Sequence, residues 1–232
     1  MKPRAIPEVK WPFNQRILVL SPHPDDFDAV AVTMRFFHQR GDLIYVAVLS
    51  GSAGGVLDSF CPAVNKVAVR EQEQRASIRF FGLPEQSLTF LRLPEDAEGH
   101  LIENPDAVRR EIEVFQPTLV VLPHYNDTNA GHRRAYAMFR KVSAVPALLF
   151  QDPKTTEFRC DLYMPFDDAT ADWKRKLLLH HRSQDHRNRT LRGHGFDDRI
   201  LNVNRSAAAK IGCHAPYAEA FQCDQTRTNF TP

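Results

Sequence analysis

Short apolar, β-branched runs alternate with segments of helical periodicity through the first two thirds of this chain, and that alternation confines it to one architecture. Residues 16–20 read as a first strand. Residues 28–40 follow with Ala29, Val32, Phe36 and Phe37 at helical spacing and Gly41 as the stop. Residues 43–49 read as a second strand, 66–81 as a helix closed by Gly82, and 87–91 as a third strand. Residues 105–115 then read as a helix ended by Pro117, 118–122 as a fourth strand, 131–142 as a helix and 147–150 as a fifth strand. Such a pattern predicts an α/β fold, a mostly parallel sheet with helices on both faces and right-handed crossovers.

Beyond Gln151 the pattern loosens. Residues 159–164 read as another strand, and 171–181 as a helix with Lys174, Arg175 and Lys176 on its wet side. Residues 184–204 are polar and rich in Arg and His. No repeat, low-complexity segment or linker divides the chain. Residues 1–232 are therefore expected to form one domain behind an irregular arm, residues 1–15, punctuated by Pro3, Pro7 and Pro12. The arm lacks the apolar core of a signal peptide, and no run approaches the roughly 18 apolar residues of a membrane span. A cytoplasmic location is the expectation. With a net charge of +2 and no basic block, neither a nucleic-acid nor a membrane partner is expected. Cys61, Cys160, Cys213 and Cys223 are scattered without a C-x-x-C, which argues against a structural zinc site and for reduced thiols.

Ligands of open α/β sheets bind outside the carboxyl ends of the strands. Three polar loops fall there: Pro22-His23-Pro24-Asp25-Asp26, the small-residue stretch 50–55, and the segment from Pro123 to His132. His23 and Asp26, three apart, can turn to one point while Asp25 points elsewhere. With His132 they make a two-His, one-carboxylate set, the donor pattern of a catalytic zinc site with open positions. Fe(II) or another divalent ion fits the same donors. Asp25 is placed to act as a general base toward a water activated there, and amide or ester hydrolysis is the reaction class that needs this kit. The competing structural reading is that Asp26 or Asp28 caps the 28–40 helix.

The motif Pro22-His23-Pro24-Asp25-Asp26 resembles the signature of the LmbE/PIG-L family of metal-dependent N-deacetylases. So do Arg70 to Glu73, Pro123-His124-Tyr125-Asn126-Asp127 to His132-Arg133, His181-Arg182-Ser183-Gln184, and Tyr217-Ala218-Glu219-Ala220-Phe221. The resemblance runs in order from about residue 16 to 221. It implies a Rossmann-like α/β fold, a zinc ion held by His23, Asp26 and His132, Asp25 as general base, and removal of an acetyl group from an amino-sugar-type substrate. It also places Arg70 near the substrate, although a helix-surface Arg paired with Glu73 is an equal reading.

Four departures mark the chain as a divergent member. Phe27 stands where the family has Glu, and the 50–55 loop has no acid. Asn129 and Gly131 stand where the family has an active-site His and the Asp that orients it. Asn129 can donate an amide N–H to a substrate but cannot act as an acid. A substitute acid is expected from His194 or His214, with His124, His186 and Tyr125 as further candidates. The alternative is a metal-loaded but catalytically silent sugar-binding module. A second possibility within hydrolysis is an anionic substrate received by the Arg/His-rich stretch 182–199, against the plainer reading of a solvated charged loop. Homo-oligomerisation is left open.

Overall fold

The computed structural model describes residues 2–224. In chain order the elements are β1 (Arg4–Ala5), β2 (Arg16–Ser21), α1 (Asp26–Ala29), α2 (Ala31–Gln39), β3 (Leu43–Val48), α3 (Lys66–Phe81), β4 (Leu88–Phe90) and α4 (Pro105–Phe115). They continue with β5 (Leu119–Pro123), α5 (Ala130–Val142), β6 (Ala147–Phe150), β7 (Leu162–Phe166), α6 (Asp168–Leu178), α7 (Arg182–Arg192), α8 (Phe196–Ile211) and β8 (Tyr217–Asp224). One sheet runs β1-β7-β8-β6-β5-β2-β3-β4. Every pairing is parallel except those of β8, which lies antiparallel between β6 and β7. This is the expected α/β architecture.

The central strands are continuous apolar runs because both of their faces are covered. Ile17 and Val19 of β2 and Leu119 and Val121 of β5 join one core cluster, with Phe27 of α1, Met34 and Phe37 of α2 and Ile78 of α3. Their neighbours Leu18, Leu20, Val120 and Leu122 point the other way, into a second cluster with Ala107 and Val108 of α4 and Met138 and Phe139 of α5. The period-two alternation of a strand thus feeds two cores at once. From β2 the chain winds outward through β3 and β4, then returns to β5 on the other side. The loops after β2 and β5 therefore diverge from a topological switch point, where such sheets bind ligands.

Several expectations change. The arm is not wholly irregular: Arg4 and Ala5 pair with Leu162 and Tyr163 as an edge strand, and Ile6 and Trp11 are buried behind it. The polar stretch 184–204 is helical, divided between α7 and α8 at Gly193. Residues 217–224, unassigned from the sequence, form a long interior strand. Lys174 is not on a wet face but fully buried. Its Nζ donates to Glu219 Oε1 at 2.7 Å, Ala29 O at 2.7 Å and Asn204 Oδ1 at 2.9 Å. The four cysteines are free thiols. Among the described residues no helix is long and apolar enough to cross a membrane.

Candidate metal centre and catalytic cleft

The turn after β2 carries the first half of the site. His23 Nδ1 lies 3.3 Å from Asp26 Oδ2, and the same carboxylate oxygen accepts the His23 backbone N–H at 2.7 Å. Asp26 therefore folds back on its own turn and does not cap a helix. Asp28 does not cap one either: its carboxylate accepts from Ser77 Oγ, from Gln74 Nε2 at 3.2 Å and from His181 Nε2 at 2.7 Å. The helix-cap reading of these two aspartates is thus replaced by two buried polar clusters. The carboxylate that meets the start of α2 is Glu219, which accepts the N–H groups of Val32 and Thr33 at 2.9 and 2.8 Å.

The second half comes from the loop after β5. His132 is buried on the first turn of α5, with Nε2 3.3 Å from Asp26 Oδ1. Its Nδ1 faces Asp127 Oδ2 at 3.0 Å, a contact that orients the ring with Nε2 toward Asp26. Donor atoms of His23, Asp26 and His132 all fall within 4.8 Å of one another, close enough to share one cation. A second set, Asp127, His132 and Asp152, meets the same criterion, but it engages the Asp127 oxygen that already holds His132. Changing Asp127 to Asn is expected to lower zinc affinity about 10- to 100-fold, read by competition with a chromophoric chelator. An unchanged affinity would mean that the Asp127 bond does not orient His132.

Electrostatics suit a cation. Burial alone would push the Asp26 carboxyl up, but attraction to the imidazoles of His132 and His23 outweighs it and holds Asp26 well below the usual carboxylate range. Burial opposes a charge on His132, yet Asp26 and Asp127 together push it up to about 10. A proton and a divalent ion compete for that Nε2.

Asp25 stands apart from this donor set. Its carboxylate pairs with Arg70 Nη2 at 3.2 Å. Its backbone is strained, with φ 129°, a conformation that costs about 1–3 kcal/mol and persists only where neighbours over-determine it. Here α3 does so: Gln74 Oε1 accepts the Asp25 N–H at 2.8 Å, and Arg70 Nη2 donates to Pro24 O. Arg70 is 1% exposed, so it is not the helix-surface arginine of the alternative reading, although Glu73 does lie 3.9 Å from its Nη1. Arg70, Glu73, Gln74 and Ser77 form a buried polar stripe at helical spacing along α3. That periodicity is the signal by which Gln74 and Ser77, overlooked in the sequence, could have been found.

One cleft gathers His23, Asp25, Asp26, Arg70, Asn129 and His132. Asn129 caps α5, its Oδ1 accepting the Gly131 N–H at 2.9 Å, so only its Nδ2–H2 remains for a ligand. Gly131 is needed for space: a Cβ there would stand 2.6 Å from His23 Nε2. Gly131→Ala is expected to push the His23 ring aside and weaken zinc binding by about tenfold or more, measured by the same chelator competition. Wild-type affinity would show that the ring relocates freely.

The expected acids are not in the cleft. His194 bonds Gly195 O at 3.1 Å at the α7–α8 junction, and His214 is exposed between α8 and β8; neither lines the cleft. His124 is buried, bonding Gln222 Oε1 at 3.1 Å and accepting the Asn126 N–H at 3.0 Å. Tyr125 stacks on the His124 ring, and His186 meets Ser59 Oγ at 3.0 Å. The cleft instead holds Asp152 and Lys154 after β6, which the sequence reading did not single out, and Arg187 on α7 and Arg199 on α8, from the stretch 182–199 that it offered as an anion-receiving segment. Burial pushes Asp152 above the usual carboxylate range, partly offset by His132.

The chain matches the family model described as PIG-L, GlcNAc-PI de-N-acetylase, over residues 18–143, more than half of its 232 residues. No curated protein sequence matches it. Among solved structures it resembles GalB, the 4-carboxy-2-hydroxymuconate hydratase of Pseudomonas putida, with TM-score 0.71 and 18% identity over 93% of this chain and 98% of that one. The N,N'-diacetylchitobiose deacetylase of Pyrococcus horikoshii superposes with TM-score 0.72 at 18% identity, covering 93% and 87% of the two chains. A deacetylase of teicoplanin biosynthesis gives TM-score 0.68 at 17% identity, covering 91% and 99%. At such identities these likenesses attest to the fold alone.

Proposed function

The chain belongs to the PIG-L family, and on that footing we propose that it is a metal-dependent amide hydrolase that deacetylates an N-acetylated amino-sugar or related small N-acyl metabolite. One observation carries the reading: three convergent donors, His23, Asp26 and His132, stand beside a carboxylate, Asp25, that belongs to none of their contacts.

The donor set fits a divalent ion. His132 presents an oriented Nε2, Asp26 is kept ionised between two imidazoles, and among the described residues no fourth side chain joins the three donors. When bound, zinc at such a site supplies Lewis acidity and lowers the pKa of a water ligand to about 7. The rest falls to the side chains. Asp25, aimed by Arg70, takes the proton of the attacking water and returns it to the departing nitrogen as the C–N bond breaks, leaving acetate and a free amine. The Nδ2–H2 of Asn129 is the neutral donor available to the carbonyl oxygen; one such donor is worth about 100- to 1,000-fold in rate.

The test is acetate release from a panel of N-acetylated sugars by zinc-loaded protein, with and without chelator. Chelator-sensitive release supports the reading. A stable zinc stoichiometry with no turnover would contradict it and favour a silent binding module. A second reading is hydration of a carbon–carbon double bond in a carboxylated substrate. It is favoured by the Arg and Lys residues that line the cleft, which suit a carboxylated substrate. Loss of ultraviolet absorbance from conjugated dienoate substrates, with no acetate formed from the sugars, would select it.

A further inference from the structure

The donors and Asp25 account for the floor of the cleft but not for the wall opposite. That wall is built by α7 and α8, which contribute Arg187 and Arg199, with Lys154 arriving from the loop after β6. Acids are plentiful on the two helices, yet they are committed elsewhere. Asp185 accepts from Arg189 Nε at 2.8 Å and from the Phe196 N–H at 3.1 Å. Asp197 and Asp198 both accept from Arg175 of α6. Among the described residues no carboxylate lies within ion-pair distance of Arg187, Arg199 or Lys154. Arg187 Nε is shielded from solvent without a hydrogen-bond partner, and so are Nε and Nη1 of the buried Arg70. Asp25 acts on Arg187, and Asp152 and Asp25 on Arg199, only from beyond ion-pair distance, so burying these guanidiniums is costly unless something pairs them more closely. Burial, then repulsion from Arg192, Arg70 and Arg199, disfavours the charge on Arg187.

We propose that Arg187 and Arg199, backed by Arg70 and flanked by Lys154, form an anion subsite, so that the substrate of this cleft carries a phosphate or carboxylate in addition to its reacting group. The planar fork of arginine suits both anions, and two forks on one wall bind them with direction. Orientation follows from charge. Arg187, Arg199 and Lys154 hold the anion beside α7 and α8, and the neutral acyl group is left to face the donors that line the same cleft. This deepens the hydrolase reading and rests on it for the acyl group, but the subsite itself serves the hydration reading equally.

The experiment compares kcat/KM for N-acetylglucosamine, its 1- and 6-phosphates and the corresponding N-acetylated uronic acid. Charge-assisted hydrogen bonds predict a preference for at least one anionic member of about 10- to 100-fold. In the double variant Arg187→Gln/Arg199→Gln the ratio should fall toward one, while Arg187→Lys should retain part of it. Equal kcat/KM across the wild-type panel, or a ratio untouched in the double variant, would overturn the subsite. Where no sugar is hydrolysed, the hydrolase reading fails, and calorimetric titration of the zinc-loaded protein with inorganic phosphate and with malonate decides the subsite separately. About tenfold weaker binding of either probe to the double variant, at equal zinc content and melting temperature, supports it; equal binding of both overturns it. Should the double variant misfold, Arg187→Lys and Arg199→Lys singly carry the same comparison.

Discussion

Replacing Asp25 with Asn is expected to lower kcat for acyl hydrolysis by about 100- to 10,000-fold, the range for loss of a general base, while the protein still binds zinc. The expectation follows from position. Asp25 touches none of the three donors and is held by Arg70 on its carboxylate side and Gln74 on its backbone side. Asn keeps the shape and the backbone anchors but cannot accept a proton at neutral pH. The fold should therefore be retained and only the proton transfer lost. Equal turnover by the variant would remove Asp25 from the mechanism. Loss of zinc together with activity would place its carboxylate among the ligands.

The largest effect on stability is expected at Glu219. Its carboxylate accepts from Lys174 at 2.7 Å and from the Thr33 hydroxyl at 2.6 Å, besides the two N–H groups at the start of α2. Lys174 and Glu219 are 0% and 2% exposed. Glu219→Ala leaves an ammonium buried without a counter-ion, and removing one member of such a pair costs about 3–5 kcal/mol. For a chain of this size the melting temperature should fall by about 6–20 °C. The double change Lys174→Met/Glu219→Gln, which removes both charges, should recover a large part of the loss. A drop of only a degree or two in Glu219→Ala would show that water reaches Lys174 and that β8 does not anchor α2 through this carboxylate.

That pair also shows where the sequence stopped being legible. The parallel strands could be read from their apolar runs, the helix over 105–115 from its amphipathic periodicity before Pro117, and the helix over 66–81 from its Gly82 stop, although its buried face is polar. The two halves of the candidate metal centre could be placed on one rim because the motif lies at the ends of apolar strands. Lys174 could not be read: a lysine between Trp173 and Arg175 looks solvated until the strand that buries it is in place, and its partner lies 45 residues later. The α7 helix was obscured by its charge, since its buried face uses Ser183, Gln184 and Asn188, whereas α8 buries Phe196, Ile200 and Leu201 at a helical spacing that the sequence reading passed over. Arg187 and Arg199 lie in the stretch 182–199 that the sequence offers as an anion-receiving segment, but which of its residues reach the cleft was not legible. On separate helices, they meet only through the tertiary fold, and spacing along the chain does not predict it.

X-ray absorption at the zinc edge of the loaded protein tests the central claim most directly. The predicted spectrum contains two imidazole nitrogens and one carboxylate oxygen, all near 2.0–2.2 Å, with light-atom solvent filling the remaining coordination. His132→Ala should remove one imidazole contribution. A sulfur shell, a single imidazole in the wild type, or a spectrum unaltered by His132→Ala would contradict a cation shared between the loops after β2 and β5.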